Sequence, residues 1–162
     1  ADNGKLYSGF DEDYVRAIGS LAGKADIILP NVTEAAILSG LPDQENIDKH
    51  SVNPLLNGLN RPCAVLTGVD FDEDSTGIVL QEGTVQHEYR HKRIGTGCHG
   101  TGDIFAAVFT GALMQGKNRL DAAKIAADFT CRCIENTVNA PAHWYGVKFE
   151  PLLPELMEML GQ

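Results

Sequence analysis

Gly97-Cys98-His99-Gly100-Thr101-Gly102-Asp103 runs straight into Ile104-Phe105-Ala106-Ala107-Val108-Phe109. A glycine-rich turn thus opens a strongly apolar helix, with one acid in the first turn. The first N–H groups of a helix have no partner inside it and sit at the positive end of the helix dipole. Glycine lets an anion approach that backbone closely. An acid beside a bound phosphate is repelled by it, so Asp103 asks for a reason. One reason is a general base that takes the proton of a hydroxyl as it attacks a phosphoryl group. The plain alternative is a first-turn acid complementing the dipole, after a turn that holds no ligand. The stretch is neither a Walker A sequence, which needs Gly-Lys-Ser/Thr, nor a dinucleotide fingerprint.

Outward from this turn, the chain alternates between strand and helix patterns. Asp11 caps a predicted helix over 11–23, with Tyr14, Val15, Ile18, Leu21 and Ala22 on one apolar stripe. Residues 25–29 form a short apolar run, as a buried parallel strand does, and Pro30 ends it. Asn31 and Glu34 have capping-box spacing for a helix to about residue 39. A helix over 51–59 follows, then a strand over 63–67 ending at Gly68. After an acidic turn at 70–75, residues 76–81 and 84–90 read as two antiparallel strands joined at Glu82-Gly83. Residues 92–99 read as loop. Helices are predicted over 101–115, 119–138 and 152–160, with irregular chain over 139–147. The helix over 101–115 is apolar almost all round and is expected to be buried. The alternation argues for an α/β fold with a mostly parallel sheet.

The 162 residues fit one domain, with no internal repeat or low-complexity linker. Hydrophobic residues make up 43% and charged residues 22%, which argues against disorder. The net charge of −9 repels nucleic acid and anionic membranes, so neither is an expected partner, and an anionic substrate needs a local positive site. No apolar run reaches the roughly 18 residues of a membrane span. Cys63, Cys98, Cys131 and Cys133 match no zinc spacing; reduced thiols of a cytoplasmic protein are expected.

Gly100-Thr101-Gly102-Asp103 leading into an Ala/Phe-rich helix resembles the anion-hole motif of the ribokinase superfamily. Two further segments agree. Ala25-Asp26-Ile27-Ile28-Leu29-Pro30-Asn31-Val32-Thr33-Glu34-Ala35 resembles that superfamily's strand–Pro-Asn-x-x-Glu–helix motif. Asp2-Asn3-Gly4-Lys5-Leu6-Tyr7 resembles the segment after the Asp-Pro-Val strand of pyridoxal kinases. The three occur in the family's order and span most of the chain. The resemblance implies a ribokinase-like α/β fold, a mostly parallel sheet flanked by helices. Residues 1–162 are expected to be the C-terminal part of a single kinase domain, with the N-terminal strands and most substrate contacts outside them.

The resemblance also assigns roles. Asp103 is the implied catalytic base, and Gly100, Thr101 and Gly102 supply N–H groups to the γ-phosphate. Asn31 and Glu34, at a strand's C-terminal end where open α/β sheets place ligands, organise Mg2+ and phosphate. A capping box explains both residues without a ligand. Asp2 lies near the metal and phosphates, and Tyr7 near ATP. Thr67 and Gly68 resemble a Thr/Ser-Gly turn that contacts nucleotide phosphate, although such pairs also end ordinary strands. Cys98 and His99 face substrate. In the branch with Cys-His-Gly-Thr-Gly-Asp, related to hydroxymethylpyrimidine kinases, the cysteine engages a substrate aldehyde; a small loop residue is the alternative. His87, His91, Lys92 and Arg93 border the nucleotide loop or, as the better reading, form a solvated face. His50 and His143 carry no signal.

The expected activity is ATP-dependent phosphorylation of a hydroxymethyl group on pyridoxal, pyridoxine or pyridoxamine, by a protein implied to be a homodimer. The rival is hydroxymethylpyrimidine or phosphomethylpyrimidine kinase. Such enzymes usually resemble Gly-Thr-Gly-Cys here, and Asp103 stands in place of that cysteine. A sugar kinase, more often Gly-Ala-Gly-Asp, ranks third. A non-catalytic nucleotide-binding fragment is the alternative of another class.

Overall fold

The computed structural model describes residues 1, 5–41, 51–95, 98–138, 140 and 146–161. Its elements are α1 (Glu12–Ala22), β1 (Ile27–Ile28), α2 (Val32–Ser39), α3 (Val52–Leu59), β2 (Cys63–Asp70), β3 (Ser75–Glu82), β4 (Val85–Lys92), α4 (Thr101–Met114), α5 (Arg119–Val138), a 3-10 turn (Glu150–Leu152) and α6 (Leu153–Leu160). They fall into two compact units, Ala1–Arg90 and His91–Gln162.

The first unit carries a four-stranded sheet in the order β1-β2-β3-β4. Ile27 and Ile28 pair in parallel with Cys63 and Ala64. β2 and β3 pair antiparallel from Cys63↔Glu82 to Asp70↔Thr76. The sheet is therefore mixed: β2 and β3 are joined by a tight turn at Phe71–Asp74, which only antiparallel neighbours allow. In that turn the Phe71 N–H donates to the Ser75 carbonyl at 3.2 Å.

β2 runs three residues beyond its predicted end, because Gly68 bends the strand without terminating it. Gly68 has φ +70°, and the register slips there, Thr67 facing Ile78 while Val69 faces Gly77. This is a β-bulge with a left-handed glycine. One extra residue reverses which side chains face the core. Ala64 and Leu66 before the bulge, and Val69 and Phe71 after it, therefore join one cluster with Ala35, Ala36, Leu55 and Leu56 of α2 and α3.

α1 starts as predicted, the Asp11 carboxylate accepting from the Tyr14 N–H at 2.9 Å. Its apolar stripe is not core, however. No α1 residue is buried, and Leu21 is 66% exposed. Tyr14, Val15 and Ile18 instead line an open groove of about 480 Å³, together with Leu6, Tyr7, Phe10 and Pro30.

In the second unit α4 packs against α5. Phe105, Val108, Phe109 and Ala112 of α4, and Ala122, Ala123, Ala126, Ala127, Phe129 and Cys133 of α5, are buried. The expectation of an all-round buried α4 is corrected: Ala107, Thr110 and Gly111 are exposed, and Met114 is 82% exposed. A helix without a polar face can still bury a single stripe, and among the described residues nothing covers the other. Arg132 of α5 ties α6 in place through Glu155 at 3.3 Å.

His91, expected on a solvated face, is instead half-buried, 3.7 Å from the Asp128 carboxylate. Burial lowers its imidazole below the usual range, and Asp128 only partly opposes this. Lys92 and Arg93 are exposed as expected. His50 and His143 lie outside the described residues.

Candidate active site

The first unit brings Asn31, Glu34 and Thr67 together at one end of the β1/β2 pair. Asn31 and Thr67 form a parallel bridge just past β1. The Thr67 N–H donates to the Pro30 carbonyl at 2.9 Å, and its hydroxyl reaches the same oxygen at 3.4 Å. Gly68, next in line, is exposed. The fold thus sets Asn31, just past the end of β1 where open α/β sheets bind ligands, beside Thr67 and Gly68, which were expected to end a strand but lie at the bulge inside β2.

Asn31 and Glu34 close the predicted capping box. Asn31 Oδ1 accepts from the Glu34 N–H at 2.8 Å, and Glu34 Oε2 accepts from the Asn31 N–H at 3.0 Å. Asn31 Nδ2 donates to the Ala1 carbonyl at 2.9 Å. The Glu34 side chain stays 40% exposed, so its carboxylate is both structural and accessible. Among the described residues no three His, Cys, Asp or Glu converge as a metal cage. One reachable carboxylate still suits Mg2+, which keeps several waters and takes one or two carboxylates plus substrate phosphates. Asp2, the other expected metal residue, lies outside the described residues. Tyr7 lines the groove that Glu34 also borders.

The second unit holds the glycine turn. Gly100 caps α4 with φ +86° and ψ 2°, a left-handed conformation, and no side chain caps this helix. The Ile104 N–H is the first to bond back, to the Gly100 carbonyl at 3.1 Å. The N–H groups of Thr101, Gly102 and Asp103 precede it and have no i−4 partner in the helix. Gly102 and Asp103 are exposed, and a Cβ on Gly102 would meet open space. Asp103 sits in the first turn of α4, so one carboxylate shares a helix end with N–H groups that no side chain caps. That arrangement can accept a proton and hold an anion at the same place. Cys98 is half-buried and His99 exposed, both immediately before the turn.

Cys63 and Cys133 are buried, and burial pushes the Cys131 and Cys133 thiols up to about 11. The sequence reading missed the residues behind the turn. Val147 donates its N–H to the His99 carbonyl at 3.1 Å, and Thr137 accepts from the Lys148 N–H at 2.8 Å. These pairings join residues far apart in sequence, and no local pattern announces them.

Elements and turn together define a ribokinase-like α/β protein. The profile of the phosphomethylpyrimidine kinase family matches residues 7–147, and the chain belongs to that family. It is 32% identical to pyridoxal kinase from Lactobacillus plantarum, whose crystal structure superposes with a TM-score of 0.85, covering 98% of this chain and 59% of that one. A Bacteroides thetaiotaomicron protein assigned as a phosphomethylpyrimidine kinase and crystallised with pyridoxal is 28% identical, with a TM-score of 0.84, covering 100% and 58%. Hydroxymethylpyrimidine/phosphomethylpyrimidine kinase of Bacillus subtilis is 28% identical over 130 residues, 79% of this chain and 48% of that protein. Pyridoxal kinase from Leishmania donovani, solved with ADP and pyridoxamine, is 23% identical with a TM-score of 0.81, covering 97% and 56%, and shows the fold alone. The chain spans about half the length of the curated relatives it matches.

Proposed function

We propose that this chain carries the phosphoryl-transfer end of an ATP-dependent kinase that phosphorylates the hydroxymethyl group of a B6 vitamer. On this reading residues 1–162 form the C-terminal part of one kinase domain, which pairs as a homodimer in the cytoplasm. The observation that carries it is the uncapped start of α4, with Asp103 in the same turn. A hydroxyl oxygen of the vitamer attacks the γ-phosphorus, the bond to the ADP oxygen breaks, and Asp103 takes the hydroxyl proton. Backbone N–H groups of Gly100, Thr101 and Gly102 receive the charge that develops on the γ-phosphoryl oxygens. Thr67, Gly68, Asn31 and Tyr7 hold the nucleotide, and Cys98 and His99 border the vitamer. Glu34, with Asp2, would hold Mg2+, which supplies positive charge to the phosphates when bound.

The Bacillus relative supports a second reading, phosphorylation of a hydroxymethylpyrimidine. The acid at position 103, where pyrimidine kinases resemble Gly-Thr-Gly-Cys, favours the vitamer. The test is ADP release by the complete kinase to which this reading assigns residues 1–162, since those residues alone are expected to be inactive, with ATP and either pyridoxal, pyridoxamine or the pyrimidine alcohol. The higher kcat/KM decides between the readings, and ATP binding without turnover in all three replaces both by a nucleotide-binding module. Asp103→Asn in the complete enzyme keeps the size of the side chain and is expected to lower kcat on the order of 10²–10⁴-fold with little change in ATP affinity, the usual worth of a general base. Turnover within a few-fold of wild type removes Asp103 from the reaction.

A further inference from the structure

We propose that Thr137, helped by Asn136, is a positioning residue for the glycine turn, acting through the strap Gly146–Lys148. The inference rests on reading Gly100–Gly102 as the phosphate-holding turn.

Two neighbouring side chains near the end of α5 grip one residue of the strap. Thr137 is 7% exposed. Its hydroxyl donates to the Cys133 carbonyl one helical turn back, at 2.6 Å. That bond fixes the hydroxyl rotor and leaves a lone pair for another donor. The Lys148 N–H fills it at 2.8 Å. Asn136 Nδ2 donates to the Lys148 carbonyl, also at 2.8 Å. Both backbone groups of Lys148 are therefore held by α5.

The strap passes this hold on to the turn. Val147, next to Lys148, is 7% exposed and donates its N–H to the His99 carbonyl at 3.1 Å. Its side chain lies over Gly100, where an added Cβ would stand 3.7 Å from Val147 Cγ2. Gly100 has a left-handed backbone, and its dihedral angles aim the Thr101, Gly102 and Asp103 N–H groups. A glycine has no side chain to hold itself in place, so its conformation must be imposed from outside. The His99 carbonyl and the Val147 side chain do so from two directions. Donors that hold a transferring phosphoryl group act through preorganisation, and a small displacement is costly.

The experiment is site-resolved amide hydrogen exchange on the complete kinase, comparing Thr137→Val, Thr137→Ser and wild type. Valine keeps the shape and removes the hydroxyl; serine keeps the hydroxyl. Thr137→Val is expected to speed exchange at Val147, at Lys148 and at Ile104, whose N–H is held by the Gly100 carbonyl, at least tenfold, with the buried stretch of α5 from Ala122 to Ala127 unchanged. Thr137→Ser is expected to restore wild-type rates. Uniform acceleration through α4 and α5 would show a residue that only stabilises the unit, and an unchanged rate at Ile104 would break the link; either overturns the proposal. Should Thr137→Val fail to fold, Asn136→Ala removes only the grip on the Lys148 carbonyl. It is then expected to raise exchange severalfold at the same amides, and no rise overturns the proposal. Exchange needs no turnover, so its outcome is separate from that of Asp103→Asn. Loss of the exchange effect removes the strap's role and leaves the kinase reading intact, whereas an active Asp103→Asn variant does the reverse.

Discussion

Helices α2 and α4 both start beside residues read as phosphate-handling, but their N-termini are built from different chemistry. At α2, Asn31 and Glu34 satisfy each other's backbone N–H groups at 2.8 and 3.0 Å. At α4 the capping residue is Gly100, which has no side chain, and no cap bond forms. A closed cap is worth about 1 kcal/mol of stability. An open one forgoes this and leaves donors for something other than the helix. The contrast shows how a chain separates the two uses of a helix start. One is spent on folding, and its carboxylate is left accessible; the other has no side-chain cap, and the proposed function gives it to a phosphate.

Gly102→Ala tests the open end most sharply. A methyl there meets nothing in the protein. Alanine is the better helix former, by up to about 1 kcal/mol. Thermal unfolding is therefore expected to shift upward by that amount. Phosphoryl transfer is expected to fall on the order of tenfold to a hundredfold, because the methyl stands where phosphate approaches the backbone, a milder loss than removing an oxyanion donor outright. A rise in stability with unchanged turnover would make the α4 start an ordinary helix end.

Asn31→Ala probes the closed end. It removes the cap and is expected to cost about 0.5–2 kcal/mol in urea unfolding. A value near zero would show that the box contributes nothing and would blur the contrast between the two helices.

The smallest effect concerns acid, and it falls on the unit that carries the open end. Burial holds His91 below its ordinary range. The unfolded chain then binds the proton more readily than the folded one. Stability is full above about pH 6.5 and declines as pH falls through the lower folded value. His91→Gln is expected to flatten this decline between pH 7.5 and 5 in urea midpoints. An equally steep decline in the variant would assign the acid sensitivity to other groups.

Most of the fold was legible because its signals are local. Asp11, the Asn31/Glu34 box and the Gly100 turn each announce a helix start in three or four residues, and each helix begins there. The proposed site residues Asn31, Glu34 and Asp103 stand on these same local signals. What escaped depends on pairing. Gly68 reads as a stop until its register against β3 shows a bulge. His91 lies on an alternating strand, and its burial depends on Asp128 and α5, 37 positions away. The α1 stripe has the period of a core helix, but periodicity states which face is apolar and not whether anything covers it. Thr137 and Lys148 show no pattern at all, since a helix hydroxyl and a loop amide meet only once the chain is folded.

The sheet has two dissimilar rims. Along β4, the outer positions Gln86, Glu88, Arg90 and Lys92 are all polar or charged and exposed. Such side chains discourage a second strand from adding, the usual defence against edge-to-edge aggregation. The opposite rim is β1, two isoleucines long and without charge. Among the described residues, then, one rim of the sheet is guarded by charge and the other is not.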